Sequence, residues 1–312
     1  MIEVNNLHKK FGKTKALDGI DLTVNKGSIY GLVGTNGAGK TTVIRHMAGI
    51  LKQDDGEILF DGEPAFENPA VKQRIGLVPD ELFCPKGYSI KDMTKIYNGT
   101  YDSFSTERLH ELTQLFRLDE KAPLRSFSKG MKKQAAIALT LASMPEYLLL
   151  DEPIDGLDPI VRKLVWKQIV DDVAEREMSV LVSSHNLRDL ESICDYVGII
   201  DNGRTVIERD LESVREGINK VQVAFAQKQK SAGDPQAWQE TDDAEAAIAQ
   251  LNVLHRDKHG SIELIITRDS AERIEQVLAP AKPLVLDVLP LSLEEVFIYE
   301  LGGEKYDFSE IM

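Results

Sequence analysis

The chain is poor in cysteine and in net positive charge, and each shortage excludes a class of protein. Its 312 residues include two cysteines, Cys84 and Cys194, which lack metal-type spacing and suit free thiols in a reducing compartment better than a disulfide framework. The net charge of −14 argues against a protein whose main role is to bind nucleic acid, because phosphate binding requires a basic face.

Long apolar runs are also missing. The segment from Met1 to Asn6 lacks the basic start and apolar core of a secretory leader. The longest weakly charged stretch, residues 134–150, is interrupted by Pro145 and Glu146 and is shorter than the ~20 apolar residues that a spanning helix needs. If the protein acts at a membrane, we therefore expect it to do so through another chain.

The most informative motif that is present is GTNGAGKTT, which fits G-x-x-x-x-G-K-[ST]. It lies between a predicted buried strand, SIYGLVG, and a predicted helix, TTVIRHMAGI. A glycine-rich turn in this position directs backbone N–H groups and the positive end of the helix at a phosphate. The alternative, a loop that only turns the chain, is disfavoured by the two flanks. We expect a nucleoside triphosphate to be bound by Gly34, Thr35, Asn36, Gly37, Ala38, Gly39, Lys40, Thr41 and Thr42, with Lys40 on the outer phosphates and Thr41 on Mg²⁺.

A second motif, YLLLDEP, places two carboxylates after four apolar residues. Ligands of α/β sheets bind at the carboxyl ends of the strands. We expect Asp151 to hold Mg²⁺, directly or through water, and Glu152 to polarise the attacking water as general base. The alternative is a strand that simply ends in a polar turn.

A third motif, FSKGM, forms a Ser-x-Gly turn before a strong helix and is a second potential anion site. The order GTNGAGKTT, FSKGM, YLLLDEP, DGLDP and SSH resembles the ATP-binding subunit of ABC transporters over residues 2–212. Members of that family pair head to tail, and the signature turn of one subunit closes on the triphosphate of the other. The resemblance therefore implies ATP and Mg²⁺ as ligands, a second copy or a homologous subunit as partner, and an integral membrane permease at the cytoplasmic face of the membrane.

The resemblance also assigns roles to three single residues. Phe11 falls where the family stacks an aromatic ring on adenine, unless it is a core residue. Asp158 matches the residue that crosses the dimer interface, although an Asp before Pro also serves as a helix N-cap. His185 matches the switch histidine that contacts the γ-phosphate, and the alternative is a structural histidine at a strand end.

Two positions depart from the commonest family pattern. The signature is usually Leu-Ser-Gly-Gly-Gln; here Ser128 and Gly130 keep the anion turn, while Lys129 either adds a positive charge near the γ-phosphate or faces solvent. The loop after RIGLVP usually presents a Gln that ligands Mg²⁺, and here the residue is Asp80. A carboxylate still suits Mg²⁺ but brings a negative charge towards the triphosphate. We expect Asp80→Gln to retain ATPase activity.

The predicted fold class is α/β. Residues 1–214 are expected to form a P-loop NTPase domain of the ABC ATPase type, with a parallel core sheet, an antiparallel β subdomain and a helical subdomain near residues 88–125. Residues 215–312 are expected to form a small α+β accessory domain. Its predicted order is β-α-β-β-α-β, the split βαβ sandwich, followed by an amphipathic helix. The elements are strand 220–226, helix 241–250, strands 251–256 and 261–267, helix 270–279, strand 284–289 and helix 292–301.

The resemblance implies an ATP-hydrolysing subunit that powers a separately encoded, export-type permease. The alternative is a soluble ABC ATPase that acts mechanically on nucleic acid or ribosomes. DNA-repair members carry long coiled coils between the phosphate loop and the signature, and ribosome-acting members carry two ATP-binding domains; this sequence shows neither, and its acidic balance weighs against nucleic acid. A regulatory, ligand-sensing role of residues 215–312 is compatible with transport.

Overall fold

The computed structural model describes residues 1–81, 85–185, 187–211, 218–225, 244–289, 291–292, 294–295 and 299. The chain divides into two compact units, Met1–Glu208 and Arg209–Glu310. The predicted domain boundary between residues 214 and 215 lies outside the described residues.

The first unit contains both strands and helices. In chain order its strands are β1 (Ile2–Phe11), β2 (Thr14–Val24), β3 (Ile29–Val33), β4 (Asp55–Phe60), β5 (Glu63–Pro64), β6 (Ile75–Val78), β7 (Tyr147–Asp151), β8 (Ser179–Ser184), β9 (Tyr196–Asp201) and β10 (Arg204–Asp210), the last of which continues just past Glu208. Its α-helices are α1 (Lys40–Met47), α2 (Pro69–Gln73), α3 (Ile90–Thr100), α4 (Thr106–Leu115), α5 (Lys129–Ala142), α6 (Pro159–Arg176) and α7 (Leu187–Leu190).

A six-stranded sheet with the order β10-β9-β3-β8-β7-β6 forms the centre of this unit. The strands from β9 to β6 in this order pair in parallel. Every residue of β3, β7 and β8 is buried, which explains their continuous apolar sequences, since both faces of a parallel sheet are covered. The edge strand β10 is joined to β9 by a two-residue turn with φ of 46° at Asn202 and 75° at Gly203, the left-handed backbone typical of such hairpins. The parallel core sheet is confirmed.

A four-stranded antiparallel sheet, in the order β2-β1-β4-β5, is the predicted antiparallel subdomain. Its apolar side chains share one core with those of the central sheet and helix α1. Leu22, Tyr30, Ile44 and Leu149 represent the two sheets and the helix in that core. The shared core fixes the start of α1 against both sheets.

The predicted helical segment also forms. The side chain of Ser89 caps α3 in a capping box with Asp92, and that of Ser105 caps α4. Helix α4 packs on the longer α5, which begins at the FSKGM motif. Among the described residues, the structure contains no helix that is both long enough and apolar enough to cross a lipid bilayer.

The second unit is an antiparallel sheet with helices. Its strands are β11 (Asn219–Ala224), β12 (Val253–His259), β13 (Ile262–Thr267) and β14 (Val285–Leu289), and its helical parts are residues 244–248 and helix α8 (Ala271–Leu278). The sheet order is β12-β13-β11-β14, which is the predicted β-α-β-β-α-β arrangement. The start of the predicted helix 241–250, and most of helix 292–301, lie outside the described residues.

Candidate functional site

The loop from Gly34 to Gly39 connects β3 to α1 and has the backbone that a phosphate loop requires. Gly37 and Gly39 have φ of 87° and 114°, in the left-handed region where a side chain is disfavoured. A Cβ atom on Gly39 would also lie 3.1 Å from the carbonyl oxygen of Ala16. The N–H of Gly203 donates to the carbonyl of Ala38 at 3.0 Å. The loop is therefore constrained by neighbouring backbone at both Ala16 and Gly203.

The loop lines a pocket of about 200 Å³. Lys40 lies in its wall with its side chain buried, and its Nζ donates to the carbonyl oxygens of Gly34 at 2.5 Å and Thr35 at 3.2 Å. Burial lowers the pKa of Lys40, and the nearby Glu152 carboxylate opposes that shift. The residues that line the pocket are Ala16, Thr35, Asn36, Gly37, Gly39, Lys40, Thr41, Thr42, Asp80 and Glu152.

Glu152 lies directly after β7 and faces Lys40. Its Oε1 is 3.5 Å from Lys40 Nζ, and its Oε2 is 3.0 Å from Nδ1 of His185. Burial raises the pKa of Glu152, while Lys40 and His185 act in the opposite direction. A carboxylate with a raised pKa is a stronger base than one in water, which suits proton abstraction from a water molecule. The structure therefore brings together three residues that the sequence predicted from separate motifs.

Asp151 occupies a different position from its neighbour. Its side chain is buried, and its Oδ1 accepts a hydrogen bond from the Ser183 hydroxyl at 2.7 Å. The same hydroxyl accepts from the N–H of Glu152 at 3.1 Å. Asp151 is not among the residues that line the pocket, so its expected contact with Mg²⁺ stays a prediction. Ser183 was missed as a site residue; its signal was the SSH motif at the end of β8, whose pairing with Asp151 appears only in the sheet register.

Asp80 lines the pocket from the loop after β6, as expected for the position where the family usually has Gln. Its Oδ1 is 3.3 Å from Nζ of Lys133, a residue of α5 that the sequence did not single out. Lys133 also donates a hydrogen bond to the carbonyl oxygen of Glu152. One lysine thus contacts both the loop after β6 and the acid after β7.

The signature residues lie outside this pocket in the same chain. The Ser128 hydroxyl caps α5 by accepting from the N–H of Met131 at 3.2 Å. A Cβ on Gly130 would lie 2.8 Å from the carbonyl oxygen of Gly156, so a close approach of two backbones explains this glycine. Lys129 lines a separate groove with Asp80, Glu81, Lys132 and Lys133. The turn is formed, and its expected contact with a nucleotide stays a prediction.

The surroundings of Asp158 and Phe11 bear on the alternative roles that the sequence left open for each of them. Asp158 caps α6, since its Oδ1 accepts from the N–H groups of Ile160 and Val161 at 3.1 Å each. The N-cap alternative is thus confirmed, and the interface role stays a prediction. Phe11 is 48% exposed at the end of β1, so the alternative of a core residue is wrong. Ala16 lines the pocket instead; no sequence signal pointed to it.

The residues present fit ATP and Mg²⁺. The loop offers N–H donors, Lys40 a buried cation, Thr41 a hydroxyl and Asp80 and Glu152 carboxylates, all in one pocket. Hydroxyl and carboxylate oxygens are the ligands that Mg²⁺ takes beside substrate phosphates. A strand–loop–helix phosphate site next to acids at the carboxyl ends of parallel strands defines a P-loop nucleoside triphosphatase.

Comparisons with known proteins place the chain within that class. Residues 17–155 match the family model described as ABC transporter. The chain is 35% identical to "ABC transporter ATP-binding protein YtrB" of Bacillus subtilis (strain 168), over 98% of this chain and 99% of that protein. It is 32% identical to "Lantibiotic transport ATP-binding protein SrtF" of Streptococcus pyogenes, over 68% of this chain and 92% of that protein. A solved "ATP binding subunit of ABC transporter" superimposes with a TM-score of 0.65 at 27% identity, over 69% of this chain and 92% of that one.

The chain therefore belongs to the family of ABC transporter ATP-binding proteins. Its activity is ATP hydrolysis, and the predicted fold class is confirmed.

Proposed function

We propose that two copies of this chain, or one copy and a homologous subunit, enclose two ATP–Mg²⁺ complexes and drive a separate export-type permease at the cytoplasmic face of the membrane. The observation that carries the proposal is the division of the site. Lys40 and Glu152 face one pocket, whereas the Ser128 turn of the same chain lies outside it. A second chain that approaches head to tail would supply the missing turn.

Within each half-site, different residues bind the phosphates, accept the proton of the attacking water and orient the base. The N–H groups of the loop and the buried Lys40 amine bind the phosphates, where they stabilise charge that develops during phosphoryl transfer. Glu152 takes a proton from the attacking water. His185, hydrogen-bonded to the Glu152 carboxylate, orients that base and reaches towards the γ-phosphate. Bound Mg²⁺, held by Thr41, Asp80 and Asp151, would supply charge neutralisation on the phosphates.

The transport role is supported by the relatives and by the length of the match. SrtF is named for lantibiotic transport, and another relative, 32% identical over 72% of this chain and 71% of its own length, is "Nod factor export ATP-binding protein I" of Cupriavidus pinatubonensis. The match to YtrB spans both units, so we propose that residues 215–312 are an accessory domain of the transporter subunit rather than an unrelated module. The mechanical alternative on nucleic acid or ribosomes gains no support from these names.

Substitution of Glu152 by Gln tests the dimer and the base together. The amide keeps the size of the side chain but removes the proton acceptor, and general-base catalysis is worth roughly 10²–10⁴-fold. We expect hydrolysis to fall by that factor, and ATP–Mg²⁺ to shift the variant from monomer to dimer in gel filtration. The matched control is Glu107→Gln, which removes the same charge from an exposed position on α4. Parent-like hydrolysis in the Glu152 variant would exclude Glu152 as the base.

The partner is tested separately. The tagged parent chain is purified from detergent-solubilised membranes and from the soluble fraction, and the proteins recovered with it are identified. We expect a polytopic membrane protein in stoichiometric amount. Recovery of ribosomal proteins or nucleic acid in its place would overturn the transport role in favour of the mechanical alternative.

A further inference from the structure

Lys133 is a buried amine with two anionic or polar acceptors from different parts of the site. Its side chain is 1% exposed and lies on the second turn of α5, after the signature. Its Nζ is 3.3 Å from Oδ1 of Asp80 and donates to the carbonyl oxygen of Glu152. A buried amine that made no such contacts would lose its hydration without compensation, so these two acceptors offset the cost of its burial.

The contact with Glu152 restrains an unfavourable backbone. Glu152 has φ of 47°, in the left-handed region that costs a non-glycine residue about 1–2 kcal/mol. Its N–H donates to Ser183 Oγ at 3.1 Å, and its carbonyl accepts from Lys133. Both polar backbone groups of this residue are therefore held by side chains, on either side of the strained position. These two bonds set the direction in which the Glu152 carboxylate leaves the backbone.

The contact between Lys133 and Asp80 places a positively charged group beside a carboxylate that lines the nucleotide pocket. The Asp80 side chain is 46% exposed and belongs to the lining of both the nucleotide pocket and the neighbouring groove. A carboxylate at this position would repel a triphosphate unless a cation offsets it. The Lys133 side chain is buried on α5, whereas the Asp80 carboxylate is half-exposed, so the lysine is the more constrained partner of the pair. The direction of control runs from Lys133 to Asp80.

We propose that Lys133 is a positioning residue for ATP hydrolysis, which holds the Asp80 carboxylate and the Glu152 backbone through one ammonium group. Asp80 and Lys133 then form a pair of opposite charges, and this pair replaces the uncharged Gln that the family usually has at position 80. The inference rests on the proposed roles of Asp80 and Glu152. It also changes the expectation for Asp80→Gln, which retains activity but loses part of it because the buried ammonium is left without its carboxylate.

A double-substitution cycle tests the pair. Asp80→Gln, Lys133→Gln and the double variant are compared with the parent in kcat, KM for ATP and the Mg²⁺ concentration for half-maximal rate. We expect each single variant to lose about tenfold in kcat/KM, and the double variant, whose two amides hydrogen-bond to each other without charge, to stay within a few-fold of the parent. Directly contacting residues show coupling of this size. We also expect Lys133→Gln to raise KM, since Asp80 then faces the triphosphate uncompensated.

Lys132→Gln is the matched control, because it removes the same charge from the preceding residue in the same groove. The inference would be overturned if the loss of kcat/KM in the double variant equalled the product of the two single losses. It would also be overturned if Lys132→Gln lost as much kcat/KM as Lys133→Gln. If Lys133→Gln does not fold, Lys133→Met takes its place in the single and the double variant, because its unbranched apolar side chain suits the same buried position; losses that multiply in that double variant count equally against the pair. Parent hydrolysis and its loss in Glu152→Gln are measured alongside, so failure of the proposed function is seen separately.

Discussion

Gly34, the first residue of the phosphate loop, allows a sharp test of why that loop begins with glycine. Its φ lies outside the left-handed region, so an alanine meets no backbone strain there. A Cβ would, however, lie 2.4 Å from the carbonyl oxygen of Ile200, where ordinary contact begins near 3.4 Å. The loop must therefore move by roughly 1 Å away from β9, and such overpacking costs about 1–3 kcal/mol.

The displacement also reaches the nucleotide pocket. The carbonyl of Gly34 accepts a hydrogen bond from Lys40 Nζ, so the amine that we expect to bind the outer phosphates moves with it. We expect Gly34→Ala to lower the melting temperature by about 2–4 °C for each kcal/mol lost, and to weaken ATP binding by about tenfold or more. Thermal unfolding and equilibrium binding of a fluorescent ATP analogue measure the two effects.

Gly99→Ala is the control for this experiment. Gly99 lies on the exposed side of α3, and an added Cβ there meets nothing within 4 Å. The alanine is expected to stabilise the helix by about 0.5–1 kcal/mol. If Gly34→Ala had the melting temperature and the ATP affinity of the parent, the expected clash between its Cβ and the Ile200 carbonyl oxygen would be refuted. The loop would then accommodate the methyl group without loss of stability.

Two further predictions concern the signature turn and the second unit. Ser128→Ala removes the cap of α5 and is expected to cost about 1 kcal/mol of stability and to abolish most ATP hydrolysis while leaving ATP binding by monomer intact; equal loss of binding would contradict a site completed by another chain. In the second unit, burial raises the pKa of Glu263, but hydrogen bonds from Lys258 and Arg256 bring it below its ordinary value of 4.5. The unfolded state therefore binds the proton more readily than the folded state. The stability that Glu263 contributes is fully present above its unfolded pKa and is lost as pH falls through its folded pKa. In an acid titration, the free energy of unfolding of Glu263→Gln should depend less on pH than that of the parent.

The sequence predicted those features whose physical cause is local. The glycines of the phosphate loop, such as Gly37 and Gly39, and the signature turn at Ser128 act within four residues of their own position. The apolar runs of the central strands are equally local. For the same reason the phosphate loop, the acid pair and the order of elements in both units were predictable from residue types and spacing.

Features that depend on strand order and helix packing were not predictable in that way. The Ser183 hydroxyl joins Asp151 to Glu152 only because β7 and β8 pair in parallel with Asp151 opposite Ser183. Lys133 reads in the sequence as one more charge in a basic helix start, yet packing of α5 against the central sheet buries it beside Asp80. Such contacts join residues far apart in the chain.

By itself, then, the sequence predicted a triphosphate at the loop from Gly34 to Thr42 and a general base at Glu152, because those groups are encoded in contiguous motifs. The tertiary structure decided which side chains surround Glu152. The burial of Glu152, its left-handed backbone and its contact with Lys133 form only when the strands and α5 come together. Burial raises the pKa of Glu152 because folding removes water from its carboxylate.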